Sequence, residues 1–232
     1  MCTFVGVAGC SFGRLQSKTR CVRKGIQICI LLGAELATVM ELEKAADGRG
    51  GAARERLLLA ASDLFCRQGI NATGVDAVVA AAGTAKTTLY KAFGSKEGLV
   101  EAVLEREGEL WRNWFVAEVD AIPGDATNKL VNLFDVLKRW FCEENFFGCP
   151  FINAVGEHDK DDDRLRDIAL RHKSVVLDKI RELAKDARPS DPEGLTHELA
   201  LLIDGAIVAA LITRDPSVAD HARNAAARVL MK

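Results

Sequence analysis

Apolar residues recur along the chain at helical spacing, and no apolar–polar alternation runs long enough to demand a strand. Leu57, Ala61, Leu64 and Phe65 fall at i, i+4, i+7 and i+8, and Gly69 follows as a stop. A second short run, Val75, Val78, Val79 and Ala82, closes at Gly83. A third opens at Thr84 or Ala85, carries Leu89 and Tyr90 and closes near Phe93-Gly94. Ser95 then reads as the N-cap of a long helix with Leu99, Val103, Leu110 and Trp114 on one stripe, which Pro123-Gly124 breaks.

Beyond that break Leu130, Phe134, Leu137 and Phe141 mark another helix, followed by a Phe147-Gly-Cys-Pro-Phe151 punctuation. Asp161 to Asp163 precede a helix carrying Leu165, Ile168, His172, Val175, Lys179 and Leu183 at near-heptad spacing, and acidic residues suit its first turn. Pro189 and Pro192 separate it from the segment Leu195 to Ile212, which from Leu199 on is apolar on all sides except Asp204 and Gly205. A helix with no wet face is a buried or interface helix. After Asp215-Pro216 a final helix shows Val218, Ala222, Ala225, Ala226 and Val229. The pattern predicts an all-α protein: three short helices over 54–94 and a larger bundle after them.

The composition changes this picture in one respect. With 232 residues, 49% hydrophobic and 28% charged, the chain is long enough to bury a core, and whole-chain disordered and low-complexity classes are excluded. The formal net charge of −2 argues against a uniformly basic nucleic-acid coat. That average is uneven. Residues 1–39 hold Arg14, Lys18, Arg20, Arg23 and Lys24 against Glu35, a net +4 that leaves −6 for the rest. Four of the seven cysteines, Cys2, Cys10, Cys21 and Cys29, lie in the same stretch. Its apolar run Ile26 to Val39 is too short for a membrane span and contains Glu35. Residues 1–39 are therefore expected to be a disordered extension or a start placed ahead of the true one at Met40. An odd cysteine count without C-x-x-C spacing points to reduced thiols and a cytoplasmic protein.

The segment 54–96 is locally basic, with Arg54, Arg56, Arg67, Lys86, Lys91 and Lys96 against Glu55, Asp63 and Asp76. Two short helices joined by a tight turn at Ala82-Gly83-Thr84 form a helix-turn-helix, whose second helix fits a major groove about 12 Å wide. That helix would present Lys86, Thr87, Thr88, Tyr90 and Lys91, with Lys86, Lys91 and Lys96 meeting phosphates and the hydroxyls reaching phosphates or base edges.

Here the chain resembles the tetracycline-repressor (TetR) family of bacterial transcriptional regulators. The likeness rests on Arg54-Glu-Arg-Leu-Leu-Leu-Ala-Ala-Ser-Asp-Leu-Phe65, on Gly69-Ile-Asn-Ala-Thr73, and on Ala81-Ala-Gly-Thr-Ala-Lys-Thr-Thr-Leu-Tyr-Lys-Ala-Phe-Gly-Ser-Lys-Glu-Gly-Leu99. It implies that Arg54, Thr73, Thr84, Lys86, Thr87, Thr88, Tyr90, Lys91 and Lys96 serve the DNA, with Thr73 capping the second helix and touching a phosphate. It also implies a helix-turn-helix domain over 40–94 and a ligand-binding and dimerisation domain over 95–232. Gly74, Thr84, Ala85 and Ala92 depart from the residues usual in the family. A serine absent at position 85 removes a cap that Thr84 is expected to supply instead, a contribution of roughly 1 kcal/mol.

Reading two half-sites needs two heads, so a homodimer is expected on double-stranded operator DNA. The resemblance places the dimer interface on Leu195 to Ile212 and Val218 to Leu230, with Gly205 near the dyad and Ala222, Ala225 and Ala226 allowing close approach. It also implies a small-molecule inducer in the second domain, for which the candidate walls are Trp111, Trp114, Phe115, Phe134, Trp140, Phe141, Phe147 and Phe151, with His172 and Asp204 as polar groups. The long helix from Ser95 to Val119 would join the two sites. No cofactor, metal or membrane is expected. A thiol switch through Cys142 or Cys149 is an alternative signal. An enzyme is disfavoured, because Glu157, His158, Asp159 and Asp161 to Asp163 lack metal-ligand spacing and no phosphate loop or nucleophile elbow is present.

Overall fold

The apolar stripes read from the sequence are the faces on which the helices pack. The computed structural model describes residues 49–158, 163–188 and 190–231, and no strand occurs among them. The extension expected over 1–39, Met40, and Asp159 with Asp161 and Asp162 lie outside the described residues. The helices are α1 (Arg49–Gln68), α2 (Val75–Ala81), α3 (Lys86–Phe93), α4 (Lys96–Asp120), α5 (Ala126–Phe141), α6 (Pro150–Glu157), α7 (Asp163–Ala187), α8 (Pro192–Thr213) and α9 (Val218–Leu230).

α1 to α3 close over one small core with the start of α4. Leu57, Leu89 and Leu99 are fully buried there, with Val78, Val79 and Val100 beside them. α2 ends in a Schellman motif: the Thr84 amide donates to Val79 O at 3.0 Å and the Gly83 amide to Ala80 O at 3.2 Å. The motif places Gly83 at φ +59°, where a β-carbon is costly, so the turn expected from the sequence is formed as expected. Arg56 Nε fixes the same end from α1 by donating to Ala82 O at 3.0 Å.

α4 belongs to both layers. Ser95 caps it, accepting from the Gly98 amide at 3.1 Å. Leu99, Val100, Val103 and Leu104 pack into the head, and Trp111, Phe115 and Val119 into the body against α5 and α7. Among the body helices α7 packs on α4, α5, α6 and α8, while α9 lies on α5 and α8. Arg223 bridges Asp135 at 3.1 Å and Lys138 bridges Asp220 at 2.6 Å, pinning α9 to α5.

Three expectations are corrected. The stripe on α7 runs through half-buried Val176, whereas Val175 is exposed, because a helix of 3.6 residues per turn drifts away from a heptad pattern. Two of the three alanines expected to allow close approach of a partner are used within the chain: Ala222 and Ala226 form the buried face of α9 with Ala219, while Ala225 is half-buried. The punctuation at 147–151 is the start of a helix, with Pro150 in the first turn of α6, a position where a missing N–H costs nothing. α8 is long and apolar enough to cross a bilayer by length and composition, but Leu195, Leu199, Ile203 and Ile207 are buried against its neighbours.

Candidate functional site

α3 carries its polar residues outward. Leu89 is the inward anchor, Lys86, Thr87, Tyr90 and Lys91 are exposed, and Thr88 and Thr84 are half-buried. Lys86 Nζ lies 2.7 Å from Asp76 Oδ1 on α2, and this contact holds the ammonium above its ordinary pKa. Arg54 sits 5.0 Å over the Phe93 ring, which brings its guanidinium to the end of α3, and half-buried Lys96 opens α4. Exposed cations and hydroxyls are therefore carried on α3 and at the helix ends beside it.

Two roles differ from expectation. The N-cap of α2 is Gly74, without a side-chain bond, and Thr73 is fully buried with its hydroxyl donating to Gly69 O at 2.7 Å. Its Oγ1 is committed to closing the α1–α2 turn. The N-cap of α3 is Ala85, again without a side-chain bond, so Thr84 does not replace the missing serine.

In the body a cavity of ≈ 40 Å³ lies between α4, α5, α6, α7 and α8. Of the residues expected to wall it, Trp111, Trp140, Phe151, His172 and Asp204 do so. Phe115, Phe134 and Phe141 instead fill the core, Trp114 is half-buried against it, and Phe147 lines a separate seam below the head. A stripe position reveals that a side chain is buried, and leaves open which helix gap it fills. The aliphatic wall was missed: Val176, Leu177 and Ile180 of α7 with Ile203 and Ile207 of α8. Lys173 pairs with Asp204 at its edge.

His172 is the buried polar group of this wall. It stacks on Phe151 with ring centroids 3.9 Å apart, and its Nδ1 is 3.1 Å from Arg112 Nη1. A guanidinium only donates, so Nδ1 accepts and the ring proton is on Nε2. Burial first, then the charges of Arg112 and Lys173, lowers its pKa to about 3, so the ring is neutral at physiological pH. Gly108 makes this packing possible: a β-carbon there would come within 2.7 Å of Phe151 Cζ. Trp111 stacks on Phe115 at 4.8 Å and its indole N–H is buried with no hydrogen-bond partner. Cys149 also lines the cavity, but burial pushes its thiol up, the opposite of an activated thiolate.

α6 connects the two regions, and the sequence pattern does not announce it. Its first residues, Pro150 and Phe151, are cavity wall. At its last residue, Glu157 Oε2 accepts from the Asn71 amide at 3.0 Å, and Asn71 Nδ2 donates to Glu157 O at 2.6 Å. Asn71 lies in the α1–α2 turn of the head.

The N-terminal domain model of the bacterial regulatory proteins, tetR family, matches residues 57–103, and the tetracyclin repressor-like C-terminal domain model matches residues 126–226. The chain belongs to the TetR family. As a TetR-family protein it is a DNA-binding transcriptional regulator, and both its fold and its family are those of regulators rather than enzymes. The transcriptional regulator BetI of Vibrio atlanticus is 24% identical over 180 residues, 73% of this chain and 86% of the relative. The transcriptional activator FasR of Mycolicibacterium smegmatis is 45% identical over 53 residues, 23% of this chain and 24% of that protein. A TetR-family regulator from Streptomyces coelicolor superposes with a TM-score of 0.70 at 27% identity, covering 78% of this chain and 97% of the other. One from Chloroflexus aurantiacus has the same fold, with a TM-score of 0.68 at 23% identity over 79% and 96% of the two chains.

Proposed function

We propose that this TetR-family chain is a ligand-responsive repressor, a cytoplasmic homodimer released from its operator when a small apolar or aromatic molecule enters the cavity between α4 and α8. Lys86, Lys91, Lys96 and Arg54 neutralise phosphates, and Thr84, Thr87, Thr88 and Tyr90 supply hydroxyls to phosphates and base edges. The observation that carries the ligand reading is α6, which has its first turn in the cavity wall and Glu157 on the head.

Size supports coupling. A cavity of ≈ 40 Å³ has room for about three water molecules, so an aromatic ligand has to displace wall side chains such as Phe151. Phe151 is fixed to α6, and α6 is fixed to Asn71, so entry of the ligand and repositioning of the head are one event. A ligand preferring the displaced state a hundredfold contributes about 2.7 kcal/mol against operator binding.

Filling the cavity from within tests this without knowing the inducer. Ala200→Phe, on α8, should weaken binding to the promoter fragment ahead of the chain's own gene by about fivefold or more, measured by fluorescence anisotropy on protein that melts cooperatively. A folded variant with wild-type affinity overturns the ligand reading. FasR is an activator, but its likeness spans only 53 residues, 23% of this chain, and does not select the sign of regulation. Derepression of a promoter reporter on deletion of the gene is the result expected of a repressor.

A further inference from the structure

A second buried group has an atom with no partner, and it lies outside the cavity just described. Glu107, halfway along α4, is 1% exposed. Its Oε1 accepts from Ser62 Oγ of α1 at 2.7 Å and lies 3.6 Å from Arg106 Nη1. Its Oε2 is buried without a hydrogen bond. A carboxyl oxygen left this way is costly unless a ligand or a proton engages it.

Glu107 faces a cavity of ≈ 30 Å³ at the seam between head and body, and a smaller one of ≈ 10 Å³ adjoins it and shares Cys66, Glu107, Phe147, Gly148 and Pro150. Phe65, Leu104 and Phe147 give the larger cavity apolar walls, and Glu157 of α6 is its second carboxylate. The nearby cations pair with other carboxylates, while Arg106 Nη1, like Glu107 Oε2, is buried without a hydrogen bond. Arg106 pairs with Glu55 at 2.6 Å, and Arg67, which sits 5.5 Å over the Phe147 ring, pairs with Asp63 at 2.7 Å. The acidic groups left at the seam are the carboxyls of Glu107 and Glu157.

We propose that this seam is a second ligand site, taking a small primary alkylamine with its ammonium on Glu107 Oε2 and its alkyl chain against Phe65, Leu104 and Phe147. An ammonium supplies the donor that Oε2 lacks and a charge complementary to Glu107 and Glu157, whereas an alcohol supplies only the first. Burial outweighs Ser62 and Arg106 in pushing the Glu107 carboxyl up from the ordinary 4.5, so at pH 4.5 and without the amine more than half of it carries a proton. At that pH the amine enters as the ammonium, and the proton on the Glu107 carboxyl leaves to solvent as the carboxylate forms the ion pair.

Isothermal titration of the full chain at pH 4.5 with ethylammonium chloride, whose three heavy atoms match the room in the two cavities, repeated in two buffers of different ionisation heat, reads both halves of this exchange. Expected are millimolar or tighter binding, net proton release, and a drop of about tenfold or more in affinity in Glu107→Gln. The glutamine keeps the shape and the neutral state of the protonated acid, and cooperative melting checks its fold. No binding of the amine, binding without proton release, equal binding of ethanol, or unchanged affinity in the folded Glu107→Gln each overturns the proposal. The alcohol and buffer comparisons use the unaltered protein and decide the matter even where the variant does not fold.

Discussion

Thr73 and Lys86 show how one motif can contain two kinds of residue. Thr73 is fully buried and its hydroxyl closes the α1–α2 turn, while Lys86 is exposed and held by Asp76. Thr73→Val should cost about 1 kcal/mol of stability, read by chemical denaturation, and leave the salt dependence of DNA binding unchanged. Lys86→Ala should do the reverse, lowering the slope of log affinity against log salt by about 0.9, the increment for a single phosphate that the lysine no longer neutralises, with stability preserved. His172 gives a pH signature. Its folded pKa is about 3 against an ordinary 6.5, so between those values the unfolded chain binds the extra proton, and stability falls as pH drops. His172→Gln keeps an acceptor for Arg112 and should make that decline shallower by roughly 3 kcal/mol at pH 4, measured by denaturation across pH. The raised Glu107 carboxyl has the opposite sign: it favours the folded state at low pH, and its contribution fades as pH rises through and above the usual carboxylate range.

At the scale of elements, the proposed coupling rests on α6. Its Glu157 contact with Asn71 is exposed, so Glu157→Ala should change stability by less than about 1 kcal/mol. Its effect belongs in coupling. In the background of Ala200→Phe, adding Glu157→Ala should return operator affinity toward the wild-type value, and a double-mutant cycle measures the interaction between the two positions. Additive effects would mean that α6 does not link cavity to head. This helix was also the element least legible in the sequence. The long helices α4, α5, α7 and α8 announce themselves by apolar stripes, and the head by its motif, but α6 has only eight residues and opens on Gly148-Cys-Pro150, which reads as a break. A proline in the first turn starts a helix as readily as it ends one. Glu107 left a signal that went unused: a carboxylate one turn beyond Val103, on an otherwise apolar face, must be either exposed or compensated, and its Ser62 partner lies 45 positions away on α1. The cavity wall was half legible because burial follows from periodicity, whereas the gap that a buried aromatic faces depends on the crossing of five helices.

At the scale of the whole molecule, the proposed dimer rests on α8. One of its faces is spent inside the chain on Leu195, Leu199, Ile203 and Ile207. On the other, Leu201, Gly205, Val208 and Ile212 recur at i, i+4, i+7 and i+11, all exposed, with Leu201 at 74% and Ile212 at 75%. An apolar stripe this long on the surface of a single copy matches a self-complementary seam across a two-fold axis, where the same residues meet their own equivalents. Gly205 suits the close approach, since a β-carbon there would meet nothing within its own chain. Leu201→Glu with Ile212→Glu places like charges on both sides of such a seam and touches no core residue. Sedimentation velocity should therefore give a monomer in place of a dimer, with helical content retained. Each head would then bind its half-site alone, and affinity for the full operator should fall by about two orders of magnitude or more, because engagement of the second half-site is no longer intramolecular. A dimer that persists in the double variant would move the seam away from α8, and with it the spacing of the two α3 helices on the DNA.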